Sequence, residues 1–292
     1  MSTTDVKTAG IPRLLLSGES LLGISRSTRD RTLEVQARFH EPESLAVTLA
    51  KAMGSGADGV LVSPSHQLRV ALAELKTPIP IFGLLPNVPE YVRDSSDVGL
   101  VGAAIKRVRS ASPATLLRLG ITGITHAPGV LKSDFAAMVP VLLELEAAAL
   151  SAKDLRGIVL AAPITDLALA GRHQRFFAHV GEFIRRRFGA LAGFETHNLG
   201  HLLRALREWG VKPDFVVGPV NPRGLLMKPS MDEALAELAR ATVPVLAKEL
   251  RAGGTVSLAE GARFARAKGA YGLVPDLIDI DDLGAELKAL RA

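Results

Sequence analysis

The chain has 292 residues, 48% hydrophobic and 22% charged, enough to bury one large core or two modest ones and too apolar to be disordered or fibrous. It contains no cysteine, which excludes disulfides, thiolate metal sites and thiol nucleophiles together and suits a cytoplasmic protein. Thirty-five Lys and Arg against 30 Asp and Glu leave +5, but with only 4% aromatic residues there is no stacking surface to interleave with that charge, so nucleic acid is not an expected partner.

The opening residues, MSTTDVKTAG, lack the basic start and apolar run of an export signal. No later apolar run reaches the ~20 residues that cross a bilayer, so no membrane partner is expected either. Short strand-type runs then alternate with amphipathic helical stretches. Strands are expected at Arg13 to Ser17, Gly59 to Ser63, Ile79 to Leu84, Gly157 to Ala162, Leu191 to Glu195, Asp214 to Gly218, Val243 to Ala247 and Gly272 to Val274. Most are apolar throughout, as strands covered on both faces should be.

Ser230 to Glu233 and Ser257 to Glu260 fit the capping box that opens a helix, and Gly54-Ser55-Gly56, Trp209-Gly210 and Lys268-Gly269 close helices just ahead of strands. Arg185-Arg186-Arg187 ends the helical stretch RHQRFFAHVGEFIRRRFG, where cations complement the carbonyl end of a helix. Eight such strand and helix units in this length predict an α/β fold, a (β/α)8 TIM barrel forming one domain over residues 1–292. An open doubly wound sheet would need fewer strands and usually a phosphate-binding glycine turn, whereas the first strand here runs into Gly18-Glu19-Ser20. Two connections are long, residues 20–43 and 85–155; the second is expected to carry an insertion within about 85–135 near the barrel mouth, with Ile121 to His126 a candidate extra strand.

In a barrel the chemistry belongs where strands end, which selects Glu19, Ser63, Asn87, Thr165, Asp166, Glu195, His197, Asn221, Arg223, Lys248, Glu249 and Asp276. In GFETHNLG, Glu195 and His197 share strand parity and should both point inward, leaving Phe194 against the helices. A carboxylate beside an imidazole is an acid/base pair; the competing assignment makes Glu195 a buried acceptor, with Thr196 or Asn198 capping the helix from Leu199. Lys248, in VPVLAKEL where the apolar run of the seventh strand finishes, is expected to act as a Schiff-base amine or a fixed cation; alternatively it pairs with Glu19 or Glu195 simply to fill the barrel top, or lies outward with Glu249 inward. Glu19, Asn87, Asn221 and Arg223 are the expected substrate-binding groups, Arg223 by a bidentate grip on carboxylate. No metal is expected, since no other histidine falls at a strand end and His201, a helical turn beyond His197, should face solvent. Gly253-Gly254-Thr255 has the form of a phosphate-binding turn, but the carboxylates that follow from Asp276 would repel a phosphate.

From about residue 190 onward, GFETHNLGHLLRALREWGVKPDFVVGPVNP, VPVLAKEL and ARFARAKGAYGLVPDLIDIDDLGAEL resemble, in order, the fifth to eighth strands and intervening helices of the aldo-keto reductases. PRLLLSGESLLGIS resembles their first strand more loosely. The resemblance implies a barrel and, for a reductase, NADP with Asn198 and Asn221 flanking the nicotinamide. The family's catalytic Asp, Tyr, Lys and His are not matched: the corresponding places read VLVSPSHQ, IFGLLPN and LAAPITD. The residues therefore favour lyase or isomerase chemistry on a small carbonyl or carboxylate metabolite without a cofactor, carried by Lys248, Glu195 and His197. The alternatives are an NADP-dependent reductase and a non-catalytic small-molecule binder. A homo-oligomer is compatible with all three.

Overall fold

The computed structural model describes residues 10–22, 27–87, 135–150 and 152–291. Eight parallel strands pair in sequence order: β1 (Leu15–Ser17), β2 (Gly59–Val62), β3 (Ile81–Leu85), β4 (Leu155–Leu160), β5 (Leu191–Glu195), β6 (Phe215–Pro219), β7 (Val245–Lys248) and β8 (Gly272–Leu273). Parallel bridges from Leu14 to Leu273 and from Ser17 to Asp276 join β8 to β1, and the Ser17 N–H donates to the Pro275 carbonyl at 2.8 Å. The sheet thus closes into the expected (β/α)8 barrel.

The described helices are α1 (Arg29–Arg38), α2 (Pro42–Gly54), α3 (His66–Glu74), α4 (Phe135–Leu150), α5 (Ala162–Ala170), α6 (Gln174–Phe188), α7 (Leu199–Trp209), α8 (Met231–Ala239), α9 (Leu258–Ala267) and α10 (Leu283–Arg291). Both serines cap their helices: Ser230 Oγ accepts the Glu233 N–H at 3.2 Å and Ser257 Oγ accepts the Glu260 N–H at 3.1 Å. Gly56, Gly210 and Gly269 leave their helices at positive φ, which a Cβ would strain. The long connection after β1 holds α1. The expected insertion within 85–135 and the strand at Ile121 to His126 fall almost wholly outside the described residues. No described helix is long and apolar enough to cross a membrane.

One expectation needs correcting after β4. Thr165 and Asp166 do not sit in a strand-end loop; they belong to α5, which begins at Ala162. Pro163 lies in its first turn, where its fixed φ favours a helix and its missing N–H costs nothing, so helix starts almost as soon as strand ends.

Two apolar layers result. One cluster contains only residues of strands and their flanks, among them Leu15, Leu61, Phe82, Val159, Phe215 and Leu246, and fills the barrel interior. Phe82 and Phe215 meet edge to face with centroids 6.1 Å apart. Their rings fit because β4 and β5 present glycine to them: a Cβ on Gly157 would stand 2.5 Å from Phe82 Cδ1, and one on Gly193 would stand 2.7 Å from Phe215. The second cluster packs strands against helices and includes Phe194, whose ring lies 5.2 Å from Phe177 of α6. Arg185, Arg186 and Arg187 are ion-paired with Asp214, Glu182 and Glu144 respectively.

Candidate active site

The alternation that sends Leu246 and Gly193 into the barrel sends Lys248 and Glu195, two residues further on, to the same side at the carboxyl ends of β7 and β5. Phe194 faces the helices, as parity requires. Glu19 arrives from the short 3-10 turn (Glu19–Leu22) after β1. The three meet: Lys248 Nζ donates to Glu19 Oε2 at 2.7 Å and to Glu195 Oε1 at 2.5 Å, with side chains only 7%, 14% and 3% exposed. Glu195 Oε2 also accepts the Ala162 N–H at 3.1 Å. It thereby serves the first turn of α5, whose N-cap Ala161 has no side-chain acceptor.

One lysine between two carboxylates leaves surplus negative charge. Burial pulls the Lys248 ammonium down, but Glu19, Glu195 and Glu249 more than offset this and hold it well above the ordinary lysine range. The Glu19 carboxyl is pushed up, first by burial and then by the Glu195 charge, against the lowering effect of Lys248. Glu195 accepts a backbone N–H as well as the ammonium, and Glu19 takes the ammonium alone at close range.

These groups line a cavity of about 230 Å³ at the barrel mouth. Its apolar wall is drawn from Leu84, Ala161, Pro163 and Val274, and its polar lining includes His197, Asn87 and Ser63. Asn87 is buried; its N–H donates to Glu146 Oε2 at 3.1 Å and its amide nitrogen to the Pro64 carbonyl at 3.0 Å. Ser63 Oγ donates to the Leu84 carbonyl at 2.8 Å. His197 Nδ1 lies 3.3 Å from Asp166 Oδ2. Burial pushes the Asp166 carboxyl up, but hydrogen bonds from His197, Thr196 and Asn198 outweigh it and lower its pKa.

A third acidic group follows β8. Ser17 Oγ donates to Asp276 Oδ2 at 2.9 Å, while burial and the nearby Glu19 charge raise the Asp276 pKa. Asp279 is pushed up to about 7, mainly by burial and then by the Asp276 and Glu249 charges, with Arg251 opposing. Arg251 also lines the cavity and donates to the Val256 and Asp279 carbonyls, each at 3.3 Å. Glu249 adopts φ 56°, a left-handed conformation that costs a non-glycine residue roughly 1–2 kcal/mol and concentrates at functional sites. Among the described residues, no three His, Asp or Glu side chains converge as a metal site would require.

The mouth cavity thus brings together Lys248, Glu195, His197, Glu19 and Asn87. It does not include Asn221, Arg223 or Asn198. The Asn221 side chain organises its own loop, accepting the Arg223 and Leu225 N–H groups at 3.2 and 2.9 Å and donating to the Leu225 carbonyl at 2.9 Å. Arg223 is exposed. Asn198 is the N-cap of α7 by position but makes no side-chain capping bond; it borders a separate surface groove between α5 and α7. Sequence reasoning missed Asp279 and Arg251. A signal existed for Asp279 in the aspartate run after β8, and for Arg251 in the charged residues continuing past β7, but nothing local distinguishes either from a solvated loop charge. No protein-family model matches the chain, and no curated protein matches it at a significant level.

Proposed function

We propose that the protein is a barrel enzyme that moves protons on a small carbonyl or carboxylate compound, in lyase or isomerase chemistry, with Lys248 as a fixed cation and Glu19 as the proton acceptor. The observation that carries this is the Lys248 ammonium held between Glu19 and Glu195 beside the mouth cavity. A carbon next to a carbonyl gives its proton to Glu19. The C–H electron pair becomes the new C=C bond, and the carbonyl π pair moves onto oxygen, where the ammonium offsets its charge. In an α-hydroxy substrate, returning the proton to the former carbonyl carbon while the hydroxyl proton passes to the enolate oxygen completes an isomerisation. With a leaving group on the carbon at the far side of the deprotonated one, collapse of the enolate to the carbonyl expels that group with its bonding pair and completes an elimination. A preorganised charge aimed at such an oxygen contributes about 3–4 kcal/mol in comparable sites. A carboxyl pushed up by burial is a stronger base than a free one.

A Schiff-base role requires the free amine, and two carboxylates favour the charged form, so the pairing supports the cation role over the imine role. The aldo-keto reductase likeness supports a nicotinamide enzyme less well, because Asn198 and Asn221 lie away from the cavity and the Asn221 amide is engaged by its own loop.

The test is incubation in D₂O with a panel of small aldehydes, ketones and 2-oxo acids, watching deuterium enter the carbon next to the carbonyl by proton NMR. Borohydride trapping and NADPH and NADH titrations run alongside. Exchange that disappears in Glu19→Gln and Lys248→Met, without a trapped adduct, supports the proposal. A borohydride adduct lost in Lys248→Ala makes the lysine an imine-forming nucleophile, and no exchange with tight nucleotide binding replaces the proposal with the reductase.

A further inference from the structure

The Glu195-Thr196-His197 triplet, which begins at the last residue of β5, is tied at both ends to one helix. At its start, Glu195 Oε2 receives the Ala162 N–H at 3.1 Å. One turn further along α5, Asp166 faces the other two residues. Its Oδ1 accepts the Thr196 hydroxyl at 2.5 Å, and its Oδ2 accepts the His197 backbone N–H at 3.1 Å. The same Oδ2 stands 3.3 Å from His197 Nδ1, on a ring that lines the mouth cavity and is 31% exposed.

We propose that Asp166 is the positioning residue of a second proton-transfer unit, holding the His197 imidazole as the Nδ1–H tautomer so that Nε2 is the basic nitrogen. This rests on the proton-transfer reading of the cavity. An ionised carboxylate can only accept, so a hydrogen bond to Nδ1 requires the hydrogen to sit there, and the neutral ring then carries its lone pair on Nε2. Backbone and ring are held by the same oxygen. An imidazole just beyond a strand end would otherwise sample several rotamers and both tautomers; here its peptide and its ring are anchored to a helix that Glu195 fastens to Lys248.

The division of labour follows from which elements supply the groups. Glu19 follows β1 and His197 follows β5, on opposite sides of the barrel order, with Lys248 bonded to Glu19 and to Glu195, two residues before His197. A proton taken by one group can be matched by a proton delivered by the other, which lets the cavity act on two atoms of a substrate without a single side chain having to travel. The competing account makes Asp166 a staple of the β5 to α7 turn, satisfied by Thr196 and the His197 peptide, with the ring contact incidental.

Long-range proton–nitrogen correlation NMR of the ¹⁵N-labelled full chain separates the two, with the His197 signals identified by their loss in His197→Gln. At a pH where the ring is neutral, the expected signature is a protonated Nδ1 and an unprotonated Nε2 in the wild type, shifted toward Nε2–H in Asp166→Asn and retained in Thr196→Val. Nε2–H in the wild type overturns the proposal, and so does a tautomer indifferent to Asp166→Asn. Should Asp166→Asn fail to fold, the wild-type signature decides by itself. Because the measurement needs no substrate, it stands or falls separately from the deuterium-exchange assay. With an exchange substrate in hand, Asp166→Asn should lower kcat about 10²-fold with little change in KM. Combined with His197→Gln it should cost no more than His197→Gln alone; additive losses would refute the coupling.

Discussion

Replacing Asp279 by Asn should remove a large part of the protein's loss of stability toward alkaline pH. Burial, followed by the Asp276 and Glu249 charges, pushes the folded-state pKa of Asp279 from 3.8 to about 7. Between those values the folded protein keeps a proton that the unfolded chain gives up. The group therefore stabilises the fold fully below 3.8, and this contribution is lost as pH rises through about 7. At about 1.4 kcal/mol for each factor of ten in the proton equilibrium, the full interval corresponds to about 4 kcal/mol. Partial exposure of Asp279 brings the expected effect to about 2–4 kcal/mol. Asparagine keeps the shape of the protonated carboxyl and cannot ionise. In urea unfolding across a pH series, the variant should match the wild type near about pH 4 and exceed it by about 2–4 kcal/mol near pH 8. Glu19 and Asp276 are raised as well and act in the same direction, so some decline should persist in the variant. Two curves that fall in parallel from pH 5 to 8 would refute the reasoning, because Asp279 would then ionise alike in both states.

Lys248→Met leaves Glu19 and Glu195 buried without their cation and should cost about 3–5 kcal/mol at neutral pH. Much of that loss should return as pH falls and the carboxyls take up protons; equal losses by denaturant unfolding at pH 8 and 5 would contradict it. Gly157→Ala puts a Cβ 2.5 Å from Phe82 Cδ1 in the barrel interior, so thermal unfolding should show a loss of about 1–3 kcal/mol, partly recovered by adding Phe82→Leu. If the smaller partner brings no recovery, the clash is not the cause. Ser257→Ala deletes the acceptor of the Glu260 N–H and should lower stability by about 1 kcal/mol, while Ser257→Asp retains most of it.

The barrel was legible because its signals are local. Apolar runs of strand length, capping boxes at Ser230 and Ser257, and glycines at positive φ each follow from the conformational limits of a few neighbouring residues. Alternation also determined that Glu195 points inward while Phe194 points out, but it left open whether Lys248 or Glu249 faces inward. The onset of α5 was misjudged because a strand and a helix meet there without a polar cap, and the acceptor serving its first turn, Glu195, lies 33 residues away.

What only the tertiary structure decided is which inward-facing groups meet, and in what charge state. Lys248 and Glu19 are separated by 229 residues, and their contact depends on the barrel closing between β8 and β1. The parity that turned Glu195 inward left open whether it would be His197's partner, and the carboxylate that meets the ring's Nδ1 in the folded chain is Asp166 of α5. Asn221 carries the right atoms for a substrate, yet its own loop engages them. Asp279 looks like any loop aspartate until folding buries it beside Asp276. A residue's direction follows from its strand, but its pKa, its partner and its access to a cavity are properties of the closed surface that all eight strands build together.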